Sequence, residues 1–253
     1  MTFARKRRLA AHAFTIAALA AWALYSSFVP SYQVPGPAAV ARRVAEFVID
    51  RFALAQLALS LLHVGLSIAG SFLLGAALAL LAHYVPIFRL LVHGRITPFL
   101  NSFSGIGWIL LAVLWFGVTD TTVVFAISAV LLPFTIVNMR GGLDNLDAEL
   151  LEMGSSFGRS RWRNFRKIVL PSLAPFIFAS LRVSLGVAWK VTLTAELLGG
   201  SAGLGYLVNV AREEFDTPLI FAVIGLIVMF VHLTDRRLLT PAQSHVVRRY
   251  RTL

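Results

Sequence analysis

Apolar residues fall along this chain in blocks, and polar residues are largely confined to the gaps between them. Six blocks, at 9–29, 57–82, 97–117, 120–138, 172–197 and 218–234, have about the 17–25 residues a helix needs to cross roughly 30 Å of hydrocarbon. The pattern predicts one all-α integral membrane domain over 1–253 with about six transmembrane helices. The last block opens at Pro218, a residue suited to a first helical turn. Only Gly117-Val118-Thr119-Asp120 separates the third block from the fourth, which predicts a tight turn between antiparallel helices.

Two gaps keep a helical period of their own. Residues 37–56, entered through Pro35-Gly36-Pro37, place Val40, Val44, Phe47 and Val48 on one face. Arg42, Arg43, Glu46 and Asp50 interleave, so the segment reads as an amphipathic helix at the outer surface, either a connector or a docking element. The gap at 140–171 is longer, polar and basic. Asp144 and Asp147 are each suited to cap a helix start. Ala148 to Phe157 reads as a short helix ended by Gly158. Arg161 to Ile168 reads as a second, with Trp162, Phe165 and Ile168 on one face.

Small residues recur at every fourth position inside two blocks: Ser67, Ser71, Gly75 and Ala79, then Ser180, Ser184, Ala188 and Thr192. Such stripes let helix backbones approach closely in lipid; a polar pathway lined by hydroxyls is the other reading.

Composition supports the membrane assignment, with 58% hydrophobic and 14% charged residues, where a soluble domain carries about 25% charged. The net charge of +11 does not point to nucleic acid, because the basic residues gather at block ends, where they act as orientation signals. With the N-terminus in the cytoplasm, seventeen of the 23 Lys and Arg residues fall in inside segments and four in outside segments. That places both termini inside. The stretch from Leu9 to Val29 after Arg5-Lys6-Arg7-Arg8 is longer than the roughly 7–15 residues of a signal-peptide core, and is read as a retained span. The chain has no cysteine, which excludes disulfides and thiol chemistry. His12, His63, His83 and His93 lack the i, i+4 spacing of a metal pair, so no metal site is expected.

Arg182, Lys190 and Glu196 lie in or at the end of the fifth block. A charge in hydrocarbon costs at least about 2.5–3.5 kcal/mol, so such side chains face protein or water. Arg182 and Glu196 are some 21 Å apart along a helix at 1.5 Å per residue. They cannot pair with each other and suit structural roles at the two membrane boundaries. Lys190 is deeper, and a positive lining there favours anions. Lys190, Arg182 and Glu196, with Trp108 of the third span, are the candidate pathway residues.

The 140–171 segment carries Glu152, then Gly158 six residues on, then Ile168-Val169-Leu170-Pro171. Here the chain resembles the membrane subunits of bacterial ATP-binding-cassette importers. Their cytoplasmic coupling loop, between spans 4 and 5, reads Glu-Ala-Ala, three residues, Gly, nine residues, Ile-x-Leu-Pro. Met153 and Gly154 stand where that pattern has its alanines. Trp189, Glu196, Gly203-Leu204-Gly205, Trp115-Phe116-Gly117 and Pro35-Gly36-Pro37 are similar to the nitrate, taurine and aliphatic-sulfonate subgroup. The third span departs from it, with Ser104 and Leu110 where that subgroup usually has prolines.

The resemblance implies a permease in the bacterial inner membrane that imports a small anionic solute such as a sulfonate, taurine or nitrate. It implies an ATPase-docking surface at Glu152, Met153, Gly154, Gly158, Ile168, Leu170 and Pro171. Its partners would be two copies of a cytoplasmic ATPase that binds ATP and Mg, a second copy of the permease, an extracytoplasmic binding protein and the bilayer. The chain has no Gly-x-x-x-x-Gly-Lys-Ser/Thr phosphate loop, so no cofactor is expected in it and ATP use belongs to a partner.

Two other classes compete. A transporter or channel working without an ATPase would not need the Glu152–Pro171 pattern. Gly199-Gly200-Ser201-Ala202-Gly203 matches a nucleophile elbow and would suggest an intramembrane serine hydrolase using Ser201. That reading lacks the preceding strand, and His232, the histidine of the later spans, falls at the opposite membrane face.

Overall fold

The computed structural model describes residues 3–147, 149, 152, 153, 156, 161–239 and 241, and none of these is in a strand. In chain order the helices are α1 (Phe3–Phe28), α2 (Pro37–Ile49), α3 (Arg51–Tyr84), α4 (Pro86–Leu91), α5 (Thr97–Ser102), α6 (Gly105–Phe116) and α7 (Asp120–Asp144). They continue as α8 (Arg161–Asn164), α9 (Leu170–Gly199), α10 (Leu204–Glu213) and α11 (Thr217–Thr234). Among the described residues, four helical stretches are each long and apolar enough to cross a membrane: Arg51–Tyr84, Asp120–Asp144, Trp162–Gly199 and Thr217–Arg237. The apolar stretch Ala13–Phe28 is shorter.

The third block, expected as one helix over 97–117, is broken. The stretches Pro86–Ser102 and Gly105–Phe116 meet at 88°. Phe103 is extended, and Ser104 starts α6 by accepting a hydrogen bond from the Gly107 N–H at 3.2 Å. A hydroxyl cap satisfies the free N–H groups of a new helix and so fixes the break. The outer helix also ends earlier than 56. Asp50 is extended and its carboxylate accepts from Phe52 N at 2.9 Å, so α2 stops at Ile49 and α3 starts at Arg51. Gly117, at φ +70°, closes α6, and Thr119 caps α7, which makes the tight turn at 117–120.

Three π turns, Val92–Ile96, Phe165–Val169 and Asp235–Leu239, each end two residues before a proline: Pro98, Pro171 and Pro241. Proline lacks the N–H that an α-helix needs and its ring crowds the carbonyl four residues back. In the first two turns the residue just before the proline donates five residues back, Thr97 N to the Val92 carbonyl and Leu170 N to the Phe165 carbonyl. The wider register accommodates the proline without ending the helix. Instead of a separate second helix followed by a span at 172, residues 161–199 therefore run on as one helical stretch.

α7 lies at the centre, with Val123, Ala126, Ile127, Leu131 and Ile136 fully buried. It packs against α3 and α9. Both small-residue stripes are buried. On α3, a Cβ at Gly75 would lie 2.8 Å from Thr135 of α7. About two turns further along α7, a Cβ at Gly142 would lie 2.8 Å from Leu173 and Phe176 of α9. These approaches are closer than any larger residue permits, which is the packing use of small residues. Arg43 of α2 pairs with Glu46 at 2.9 Å and with Asp216 ahead of α11, tying the amphipathic helix to the bundle.

Candidate functional site: docking segment, helical groove and outer polar lock

The segment expected to dock an ATPase is buried against the bundle at its Phe165–Val169 end and exposed at Glu152, Met153 and Trp162. Val169 is buried with Ala79, Met139, Leu143 and Leu173, and Phe165 packs against that cluster. Ile168 and Pro171 are half-buried and Leu170 is partly exposed. Trp162 stacks on Phe165 at 5.8 Å between ring centres yet is 70% exposed. Glu152 and Met153 are helical and exposed, and Asp147 caps this stretch by accepting from Glu149 N at 2.9 Å. Asp144, the other expected cap, instead closes α7 and pairs with Arg140 at 3.2 Å. Gly154 and Gly158 lie outside the described residues. Apolar anchoring fixes the direction in which the exposed side chains are presented.

Between α9 and α11 runs a groove of about 570 Å³. Its walls are apolar, with Leu185, Leu193, Ile224 and Val228 among them, and Arg182, Lys190, His232 and Asp235 supply its polar groups. Arg182 grips Asp235 through two contacts of 2.6 Å, Nε to Oδ1 and the Nη2 donor to Oδ2. Only the Nη2 contact is a hydrogen bond, and the ion pair neutralises both charges. Lys190 is exposed to the groove and has no ion-pair partner among the described residues.

The other two candidates lie elsewhere. Trp108 is buried in the first turn of α6, donates to the Leu100 carbonyl at 3.3 Å, and packs against Phe99, Phe103 and Phe125. Glu196 is 1% exposed, in a lock made by residues from three helices. Its carboxylate accepts from Ser60 Oγ at 2.8 Å, bonds His63 Nδ1 at 2.8 Å, and accepts from Gly205 N at 2.8 Å. The next donors of the same turn are also met from α3: Gly203 N by Gln56 Oε1 at 2.6 Å, and Leu204 N by Ser60 Oγ at 2.7 Å. Three successive N–H groups at the start of α10 thus find acceptors inside the protein. A buried helix start demands this, and the carboxylate also favours the positive end of the helix dipole. His63 Nε2 faces Asp120 at 3.5 Å, so one imidazole links α3, α7 and α9.

The lock explains the Gly203-Leu204-Gly205 turn. Gly203 has φ +107°, and a Cβ there would lie 2.3 Å from the Glu196 carboxyl carbon. A Cβ at Gly205 would lie 2.4 Å from the Leu193 carbonyl. Ser201 sits exposed beside this turn, after a helix rather than a strand. Sequence reasoning did not find Gln56, Ser60 and His63. The available signal was the spacing of polar residues at 56, 60, 63, 67 and 71, which continues the small-residue stripe along one face of α3.

A bundle of apolar helices, with one broken stretch among them, is the frame of a multi-pass membrane transport subunit. The chain belongs to the family of binding-protein-dependent transport system inner membrane components, whose pattern it matches over residues 14–236. It is 28% identical over 222 residues to the putative aliphatic sulfonates transport permease SsuC of Bacillus subtilis (strain 168), covering 84% of this chain and 79% of that one. It is 26% identical over 200 residues to the taurine transport system permease TauC of Escherichia coli (strain K12), covering 76% and 71%. The fold is shared with the membrane chain of the inward-facing MetNI methionine ABC transporter, with a TM-score of 0.64 at 15% identity over 77% of this chain and 94% of that one.

Proposed function

We propose that this permease moves a small anionic solute, of the sulfonate or taurine kind, handed over by an external binding protein and driven by two cytoplasmic ATPase subunits. It would cross the inner membrane six times, counting α1 and the bent α4–α6 stretch as one crossing each, with both termini inside. It would pair with a second copy of itself to complete the pathway. Orientation follows from the seventeen-to-four distribution of basic residues.

The observation that carries the reading is the docking segment: anchored through Phe165 and Val169, it leaves Glu152, Met153 and Trp162 exposed beyond the bundle. The test is copurification. Wild-type permease is expected to bring down its ATPase subunit. Glu152→Arg and Gly158→Arg are expected to lose it while the permease still reaches the membrane. Retention of the ATPase by both variants would favour the ATPase-independent transporter.

Lys190 carries the anionic part of the proposal, as an unpaired cation on a groove with apolar walls. Lys190→Ala is expected to lower uptake of a sulfonate about tenfold, the effect of losing one charge-assisted contact of roughly 1.5–3 kcal/mol. Uptake in reconstituted vesicles checks it. Unchanged uptake at every solute concentration would remove Lys190 from the pathway.

A further inference from the structure

At the end of α3 away from the polar lock, four basic side chains converge on a second cavity. His83 in the last turn of α3, Arg89 of α4, His93 of the following π turn and Arg140 of α7 line about 110 Å³. Asp144 is the one carboxylate there, and Ala79 and Ala82 leave the room. Asp144 engages Arg140 through Nε alone, leaving the two terminal nitrogens of that guanidinium for another acceptor. Arg89 has no ion-pair partner among the described residues. Two guanidinium groups against one carboxylate leave the cavity electropositive.

Its depth is set by α3. His63 of the lock and His83 of the cavity are twenty residues apart, about 30 Å along a helix, which is the thickness of the hydrocarbon layer. The cavity thus lies at headgroup level on the other side of the membrane. Ile87 and Leu90 flank Arg89 on α4 and are 74% and 77% exposed, an apolar surface beside the charged one.

We propose that this cavity binds the phosphate of an anionic phospholipid headgroup, with Arg89 and Arg140 as its hydrogen-bonding cations and Ile87 and Leu90 against an acyl chain. Two guanidinium groups suit phosphate oxygens, and basic pockets between membrane helices are the sites at which such headgroups bind. Arg140 and Asp144 lie near the C-terminal end of α7, where the 140–171 segment begins. A bound lipid braces the point from which that segment departs, so the anionic-lipid content of the membrane tunes ATPase coupling. The placement in the cytoplasmic leaflet rests on the topology proposed above.

The test uses the purified permease–ATPase complex, exchanged through detergent and weighed by native mass spectrometry with phosphatidylglycerol or phosphatidylcholine added. Wild type is expected to retain phosphatidylglycerol in preference to phosphatidylcholine. Arg89→Gln and Arg140→Gln are each expected to lower that retention about fivefold. Asp144→Asn, which frees Arg140, is expected to raise it, a direction that a folding defect does not produce. Equal retention of the two lipids, or equal retention by wild type and the double arginine variant, overturns the site. Displacement of bound phosphatidylglycerol by millimolar glycerol phosphate overturns the lipid assignment in favour of a soluble phosphate. The leaflet is tested separately. The chain has no cysteine, so Gly94→Cys is expected to react with an impermeant maleimide only from the cytoplasmic side. Reaction from outside overturns the topology, while the retention result stands or falls alone.

Discussion

Glu196→Ala is expected to lower the stability of the purified permease by about 3–5 kcal/mol, because it removes the acceptor shared by several buried groups at once. The carboxylate is the acceptor for Ser60, His63 and Gly205. Without it those groups stay buried and unpaired, each at a cost of about 1–3 kcal/mol if it cannot relax. The start of α10 loses its seat, so transport is expected to fall with stability. Glu196→Gln keeps the shape and one acceptor oxygen, but turns an NH₂ group toward donors already present, and should fall between the two. The thermal midpoint in detergent checks the series, with a drop of roughly 10 °C for alanine. If alanine matched wild type in both midpoint and uptake, the lock would not hold the outer loop.

Gly75→Leu is expected to be nearly as damaging, through sterics alone. Its Cβ would lie 2.8 Å from Thr135 before the rest of the side chain is placed. α7 has little room to retreat, because it is packed against α9 as well as α3. Overpacking of this kind costs about 1–3 kcal/mol, more where the backbone is trapped. Gly65 on the same helix is the control: a Cβ there has nothing within 4 Å. Gly65→Leu should purify as wild type does, while Gly75→Leu gives little monodisperse protein. Equal yields and midpoints would mean that α3 and α7 are not in close contact in the membrane.

Glu196 shows what was legible and what was not. Its position at the end of an apolar block marked it as special, because charge is costly there. Its partners were hidden: Ser60 and His63 stand 136 and 133 residues away in sequence. Arg182 is similar. Its need for a partner or water could be read from the chain, whereas Asp235, 53 residues on, is chosen by how α9 and α11 pack. The broken third block was missed because a single hydroxyl cap at Ser104 outweighs an apolar run that would suit one straight helix.

By itself the sequence determined that this protein is helical, that it lives in a membrane, which charges orient it, and that residues 140–171 form a patterned basic segment between spans. Those properties are local: block length, helical period and charge placement depend only on neighbours in the chain. The tertiary structure alone decided which polar groups meet: the lock on α10, the grip of Arg182 on Asp235, the exposure of Lys190 to the groove and the basic cavity below α3. Such meetings depend on the rotation and close approach of helices distant in sequence, set here by the glycine contacts of α7, and no local pattern encodes them.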